Sequence, residues 1–137
     1  MAKDVYHQIV RDALETDGWR ITHDPLTIKF TKRKVFIDLG AERLIAAERG
    51  EEKIAIEIKS FIGLSLLTDF YKALGQYQLY VLGLKKRFPN RKLFLAMPEE
   101  SYLALLADDI LAEFLNELSL QIIIFDPNTS LIIKWIK

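Results

Sequence analysis

The sequence predicts an α/β fold in which helices flank a mixed central β-sheet. Segments with helical spacing alternate with short strand-like segments, and residues 92–97 form an apolar run typical of a strand covered on both faces. No repeat, low-complexity tract or linker divides the 137 residues. A chain of this length can bury one core but is too short for two, so we expect a single domain over residues 1–137.

Composition narrows the class of protein. The chain has no cysteine, which excludes disulfides and thiolate metal sites. It has neither an apolar run of about 18 residues nor a signal-peptide stretch, so we expect a cytoplasmic protein with no membrane contact. Nineteen basic residues balance nineteen acidic ones, which argues against tight nonspecific DNA binding by a monomer. Basic residues nevertheless cluster, on solvated loops or phosphate-binding surfaces, at Lys29, 32–34, 85–87 and 91–92.

The first half of the chain predicts one helix followed by several strands. The helix covers 3–16 and ends at Asp17-Gly18. Pro25 indicates a turn between the first two strands, and the basic run 32–34 indicates a hairpin tip. The strands are expected at 19–22, 26–30, 35–39, 43–48 and 53–60, with a turn at 49–52.

The second half predicts two helical regions and three strands. A long helix covers 68–87, and Gly75 within it indicates close packing against the sheet. A second helical region covers 99–118 with a break near 107–109, and the strands are expected at 92–97, 120–125 and 131–136. The buried stripe of the long helix is expected to be Phe70, Leu74, Tyr77, Val81 and Leu84.

The strand at 53–60 carries the most informative pattern in the chain. Its isoleucines alternate with polar residues, so Glu57 and Lys59 lie on one face. Asp38, in the apolar strand 35–39 with Phe36 on its face, offers a second, partly buried carboxylate that needs a partner. An amphipathic strand with one solvated face would show the same Glu-x-Lys spacing without any function.

These residue types are those of a metal-dependent phosphodiesterase. Mg²⁺ or Mn²⁺ prefers carboxylate oxygens, so Asp38 and Glu57 are the candidate metal ligands, together with the backbone carbonyl of Ile58. Lys59 could position the attacking water or neutralise the transition state. Gln76 on the long helix is a further candidate, with Tyr80 one turn later; a solvent-exposed polar side chain is the alternative for Gln76.

The order of acidic residue, Glu-x-Lys strand and glutamine-bearing helix resembles the PD-(D/E)-x-K nuclease superfamily. The resemblance implies a restriction-endonuclease-like three-layer sandwich in which Asp38, Glu57, Lys59 and Gln76 are the catalytic residues. The chain departs from the motif because Ile37, not proline, precedes Asp38. The first helix often adds an acidic residue in that superfamily; His7 and Glu15 are the candidates here, although a buried structural role is favoured for His7.

Six segments spread along most of the chain resemble the XisH family. They are DVYH at 4–7, GWRITHDPL at 18–26, IDLGAE at 37–42, AIEIKSF at 55–61, ALGQY at 73–77 and FDP at 125–127. This resemblance implies a cyanobacterial fdxN element excision controlling factor that takes part in site-specific excision of DNA beside a companion protein, XisI. It does not imply that the chain cuts DNA, since a separate recombinase is thought to do so.

Three functional hypotheses follow. The first is a metal-dependent endonuclease or nuclease-derived factor acting on DNA. The second is a non-catalytic regulatory subunit on a nuclease-like fold, which the neutral net charge favours. The third, compatible with both, is a homodimer formed through the apolar C-terminal hairpin at Trp135 and Ile136, although Trp135 in the core is the favoured alternative.

Overall fold

A six-stranded mixed β-sheet forms the centre of the molecule in a computed structural model that describes residues 3–46 and 50–137. Four helices and a separate two-stranded sheet surround it. The elements are α1 (His7–Thr16), β1 (Arg20–His23), β2 (Leu26–Lys29), β3 (Lys34–Ile37), β4 (Leu39–Ala46), β5 (Gly50–Ile58), α2 (Leu66–Arg87), β6 (Arg91–Pro98), α3 (Glu99–Ala107), α4 (Asp109–Leu118), β7 (Ile122–Asp126) and β8 (Leu131–Ile136).

The strand order explains why the sheet is mixed. It runs β1-β4-β5-β6-β7-β8, with β2 and β3 paired apart as an antiparallel hairpin. The pairs β5–β6 and β6–β7 are parallel because α2 and the α3–α4 segment connect them, whereas the three outer pairs are antiparallel. The predicted α/β fold with a mixed central sheet is confirmed.

Two hydrophobic layers enclose the sheet. On one face α1 packs over β1 and β8, in a cluster that includes Leu14, Ile56 and Phe94. On the other face α2, α3 and α4 pack over β6 and β7, in a cluster that includes Phe70 and Met97. Strand β6 is buried along nearly its whole length, as its apolar sequence predicted. Among the helices of the described residues, none is both long and apolar enough to cross a membrane.

The N-terminal boundaries differ from the sequence prediction. Helix α1 begins at His7 and not at Lys3, because the Asp4 side chain accepts a hydrogen bond from the Tyr6 backbone N–H and stabilises a turn before the helix. The turn predicted at 49–52 is wrong for 50–52, which already belong to β5. Arg49 and the end of the strand predicted at 43–48 lie outside the described residues.

The predicted strand 35–39 is divided at Asp38. Lys34–Ile37 pairs with β2 in the small sheet, and Leu39 begins β4 in the central sheet. Asp38 is therefore the residue at which the chain passes from one sheet to the other. A continuous apolar pattern cannot reveal this division, since both sheets bury alternate residues in the same way.

Helix α2 departs from the sequence prediction in its buried stripe and at the glycine that was expected to pack against the sheet. Val81 is exposed. Gly75 faces open space, so the predicted close packing there is wrong. The close contact is at Gly83, where a Cβ atom would lie 3.1 Å from Ile28 Cδ1 of β2. Gly83 thus allows the β2–β3 hairpin to pack tightly against the C-terminal half of α2.

Arg91 and Trp135, for which the sequence left alternatives open, both have contacts inside the protein. Arg91 is buried, donating hydrogen bonds to the carbonyl oxygens of Ala41 and Ile54 and to Glu42 Oε1. It is therefore a structural cation between strands and not a phosphate-binding group. Trp135 is partly buried and packs against Trp19 and Phe94, so edge strand β8 contacts the core cluster through this side chain.

Gly75→Ala is expected to stabilise the protein, whereas Gly83→Ala is not. Alanine at an exposed helical position removes a backbone entropy cost of about 1 kcal/mol, and nothing obstructs a methyl group at residue 75. At residue 83 the same gain is opposed by the contact with Ile28. Urea unfolding of the two single variants would measure this, and a Gly83→Ala variant as stabilised as Gly75→Ala would contradict the packing.

Candidate active site

Asp38 and Glu57 meet at the carboxyl end of β5. Leu39 pairs with Ile56 in the antiparallel β4–β5 ladder, so the residue before Leu39 lies beside the residue after Ile56. Both side chains are buried, at 8% and 7% exposed. The sequence alone placed a carboxylate on each of two strands, and the register of these strands brings them together.

Main-chain hydrogen bonds hold the two carboxylates in place. Asp38 Oδ2 accepts a bond from the Ile58 backbone N–H at 2.7 Å, and Glu57 Oε1 accepts one from the Asp38 N–H at 3.3 Å. Each carboxylate thus accepts a hydrogen bond from the opposite main chain, just beyond the last residue pair of the β4–β5 ladder, Leu39 and Ile56. The arrangement orients both side chains through the fold itself and not through flexible surface contacts.

Burial of two neighbouring carboxylates disfavours their ionisation. Desolvation raises the pKa of Glu57 from 4.5 to about 8, and the nearby Asp38 carboxylate adds to the shift. Desolvation also raises the pKa of Asp38, although the bond from the Ile58 N–H opposes it. The pair therefore holds a proton near neutral pH in the protein alone, and a bound cation would replace it.

Lys59 supplies the nearest positive charge. Its Nζ lies 3.4 Å from Glu57 Oε2, and its side chain is partly exposed. Its backbone N–H donates to the Ala96 carbonyl oxygen, so the parallel pairing with β6 fixes the main chain there. One ammonium beside two carboxylates leaves a net negative charge once both acids ionise.

Helix α2 adds two polar side chains to the wall of the same cavity. Gln76 and Tyr80 are one turn apart and both line it. Gln76 Oε1 is buried without a hydrogen-bond partner, so an acceptor is available inside the site. Burial and then the charges of Glu57 and Asp38 raise the pKa of Tyr80, which keeps its hydroxyl protonated and able to donate.

The cavity has a volume of about 290 Å³ and extends beyond the predicted residues. Lys3, Asp4 and Phe36 also line it. Phe36 shares the face of Asp38 in sequence, a signal that could have placed it in the site. No local pattern identifies Lys3 and Asp4, because they reach the cavity only through the packing of the segment before α1.

His7 and Glu15 do not line this cavity. His7 is buried and its Nε2 lies 2.8 Å from Asp24 Oδ1, which agrees with a structural role. Although burial acts to raise it, the hydrogen bonds from Arg11 and His7 hold the pKa of Asp24 below its usual value. Glu15 faces Arg11 at 4.0 Å on the exposed side of α1.

The donor set fits a hard divalent cation bound partly through water. Among residues 3–46 and 50–137 no group of three or more histidine, aspartate or glutamate side chains is arranged to hold a metal ion. Mg²⁺ needs only one or two carboxylates when waters and substrate phosphate complete its shell. Asp38 and Glu57 would meet that need, with the Ile58 carbonyl as the further expected ligand, and the unpartnered Gln76 oxygen is an acceptor in the same cavity.

Comparison with known proteins identifies the family. The family model of the XisH protein matches residues 1–133. The chain belongs to the XisH family. All the candidate site residues of this XisH chain lie within the matched region. A comparison with curated proteins found no match.

Two solved structures resemble this XisH chain over nearly its whole length. One is an XisH family protein from Nostoc punctiforme PCC 73102, with 40% identity and a TM-score of 0.86. The other is an fdxN element excision controlling factor protein from Anabaena variabilis, with 37% identity and the same TM-score of 0.86. Each match covers 98% of this chain and 100% of the other. The fold described above is therefore the XisH fold.

Glu57→Gln is expected to remove a pH dependence from the stability of the metal-free protein. With the pKa of Glu57 raised from 4.5 to about 8, the folded protein keeps a proton that the unfolded chain releases. The stability from this proton is fully present below about pH 4.5 and is lost as the pH rises through about 8. Urea unfolding in EDTA should show a free energy of unfolding that falls across this window by more than about 1.4 kcal/mol.

The exposed Glu113 of α4 provides the matched control for this measurement. Glu113→Gln should keep the wild-type pH dependence, whereas Glu57→Gln should flatten it. Equal slopes for the wild type and both variants would contradict the raised pKa of Glu57.

Proposed function

We propose that this XisH protein hydrolyses DNA phosphodiester bonds at Asp38, Glu57 and Lys59, as a metal-dependent endonuclease of the PD-(D/E)-x-K type. The observation that carries the proposal is the buried pair of carboxylates beside Lys59, in which Glu57 accepts from the Asp38 backbone N–H and Asp38 accepts from the Ile58 backbone N–H. A solvated amphipathic strand would leave Glu57 exposed and ionised, with no reason to approach Asp38. Burial of this pair costs stability unless a ligand compensates for it.

Asp38, Glu57 and the Ile58 carbonyl would hold Mg²⁺ or Mn²⁺. When bound, the ion supplies Lewis-acid chemistry and a water of lowered pKa. The raised pKa values of the two acids imply that they release a proton as they take up the cation. Metal affinity should therefore increase with pH.

The remaining side chains act on the water and the phosphate. Lys59, next to Glu57, orients the water and stabilises negative charge on the phosphate oxygens. Gln76 Oε1 accepts a hydrogen bond from the water, and the protonated Tyr80 hydroxyl donates to a phosphate oxygen. The water oxygen forms a bond to phosphorus and releases a proton to solvent, as the bond to one sugar oxygen breaks and that oxygen takes up a proton from solvent.

The biological setting that best fits this activity is programmed removal of a DNA element. The similar protein from Anabaena variabilis is called an fdxN element excision controlling factor. We extend that role to this chain, as a DNA-processing factor in site-specific excision. Isoleucine at position 37, where the superfamily motif has proline, does not affect the site chemistry because this side chain is buried in the core.

The charge balance favours one alternative, a regulatory subunit that does not cut DNA. With nineteen basic and nineteen acidic residues, the protein has little overall attraction for a polyanion. On this alternative the nuclease-like fold binds a companion protein resembling XisI, or a recombinase, and a homodimer could assemble a larger basic surface.

The double variant Asp38→Asn/Glu57→Gln is expected to lose both metal binding and DNA cleavage. Removal of two of the anionic ligands should weaken Mg²⁺ or Mn²⁺ affinity by at least about tenfold and nicking by at least about a hundredfold. Isothermal titration of each ion and plasmid nicking on the same samples would measure the two effects. Wild-type metal binding without nicking would favour the regulatory alternative.

Two further variants make this result specific. Asp109→Asn/Glu113→Gln removes the same charges from exposed positions on α4 and should change neither measurement. Lys59→Met should lose nicking while it keeps metal affinity within about threefold, because Lys59 is not a ligand. No metal binding in the wild type would refute the nuclease proposal.

A further inference from the structure

Three concave surfaces run together along one side of α2. The first, about 210 Å³, shares Asp4 and Lys59 with the candidate active-site cavity. That cavity in turn shares Tyr80 with a larger groove of about 690 Å³ between α2 and the β2–β3 hairpin. We call the three together the α2 channel. The carboxylates lie in its middle and not at one end.

One stripe of α2 forms the wall of the whole channel. Lys72, Gln76, Tyr80, Gly83 and Lys86 recur every three or four residues and each lines one of the three surfaces. At about 1.5 Å per residue, Lys72 and Lys86 are about 21 Å apart along the helix. This length corresponds to about six stacked nucleotides of one strand at ~3.4 Å each.

The large groove has positive charge on its rim and no negative charge. Lys32, Arg33 and Lys86 line it, and none of the lining residues within the described part of the chain is acidic. At the other end of the channel Lys72 stands beside Asp69, whose carboxylate accepts a hydrogen bond from the Gly63 N–H. A polyanion could therefore contact cations on both sides of the carboxylate pair, although the net charge of the protein is zero.

The floor and wall of the large groove are apolar. Phe30, Val35, Leu79 and Leu82 line it, and the two leucines are 67% and 55% exposed. Duplex DNA presents phosphates and base edges, whereas an unpaired strand also exposes flat base faces that stack on aromatic and apolar side chains. A second copy of this chain is disfavoured, because a two-fold contact through the groove would oppose two cationic rims.

We infer that the α2 channel binds an unpaired DNA strand, with phosphates at Lys32, Arg33 and Lys86 and bases against Phe30, Leu79 and Leu82. The inference rests on the proposed function, because continuity with the carboxylates is what favours a nucleic-acid strand over an acidic protein segment. The strand passes from the groove to the carboxylate pair at Tyr80, which lines both the groove and the cavity. The substrate is then a single-stranded, frayed or flapped DNA end and not a continuous duplex.

Fluorescence anisotropy in EDTA tests the inference without cleavage. A labelled twelve-nucleotide oligothymidine should bind at least tenfold more tightly than a duplex of equal length. Leu79→Ser/Leu82→Ser and Lys86→Ala should each weaken single-strand binding by about three- to tenfold, through base contacts and phosphate contacts respectively. Preferential duplex binding, or no nucleic-acid binding, would overturn the inference.

The chain contains close controls for both changes. Leu103→Ser/Leu106→Ser alters two exposed leucines at the same spacing on α3, and Lys85→Ala alters the neighbouring lysine, which does not line the groove. These variants should bind the single strand like the wild type. If they lose as much affinity as the groove variants, the groove is not the binding surface.

Cleavage in Mg²⁺ separates this inference from the proposed function. If the wild type cuts duplex and single-stranded substrates equally and the groove variants match it, the channel inference is overturned and the nuclease proposal is kept. If the wild type cuts neither substrate but binds the single strand through the groove, the nuclease proposal is refuted and the binding surface is kept. Cleavage of the unpaired strand that the groove variants lose would support both.

Discussion

The register between β4 and β5 is the constraint on which the site depends. With Leu39 opposite Ile56, the residues just beyond this pair are Asp38 and Glu57, and their side chains complete the pairing with hydrogen bonds to the opposite main chain. A shift of one residue would turn Asp38 to the α1 face and leave Glu57 without its neighbour. Ile54, Ile56 and Ile58 prevent that shift. They are buried in the cluster under α1, and a shift of one residue would turn them to the opposite face of the sheet.

The same contact creates an electrostatic conflict within the fold. Two acids are buried side by side, and the Lys59 ammonium, 3.4 Å from Glu57 Oε2, offsets part of their charge. A protein under no other requirement would gain stability by replacing them with apolar side chains. A proton retained by the pair reduces the repulsion between the two acids, and a bound cation would do the same. The stability of this end of the sheet should therefore depend on what the cavity binds.

Helix α2 connects this site to the rest of the surface. One of its faces packs on the sheet through Phe70, Ala73 and Leu84, which fixes the height of the helix above the strands. This packing also fixes where the neighbouring stripe of α2, from Lys72 to Lys86, lies along the cavity and the large groove. Gly83 is important in this arrangement because its lack of a side chain lets Ile28, and the hairpin that carries it, close one wall of the groove.

Basic residues that look alike in the sequence have different roles in the folded protein, according to their burial and their contacts. Lys85, Lys86 and Arg87 look alike in sequence, yet only Lys86 lines the groove, and Arg87 donates to the Lys29 carbonyl oxygen. Arg91 continues the same cluster but is buried between strands. Their side chains point in different directions around α2 and at the start of β6, and only the packed structure assigns a role to each.

The sequence by itself determined the class of fold and the faces of the most regular strands. Alternation in 53–58 placed Glu57 away from the isoleucines, and the apolar run at 92–97 predicted a doubly covered strand, because these patterns depend on local geometry. Only the tertiary structure decided that Asp38 lies between two sheets, that Gly83 and not Gly75 is packed, and that Lys3, Asp4 and Tyr80 share a cavity with the carboxylates. These features arise from contacts between residues far apart in the chain, which no short window of sequence contains.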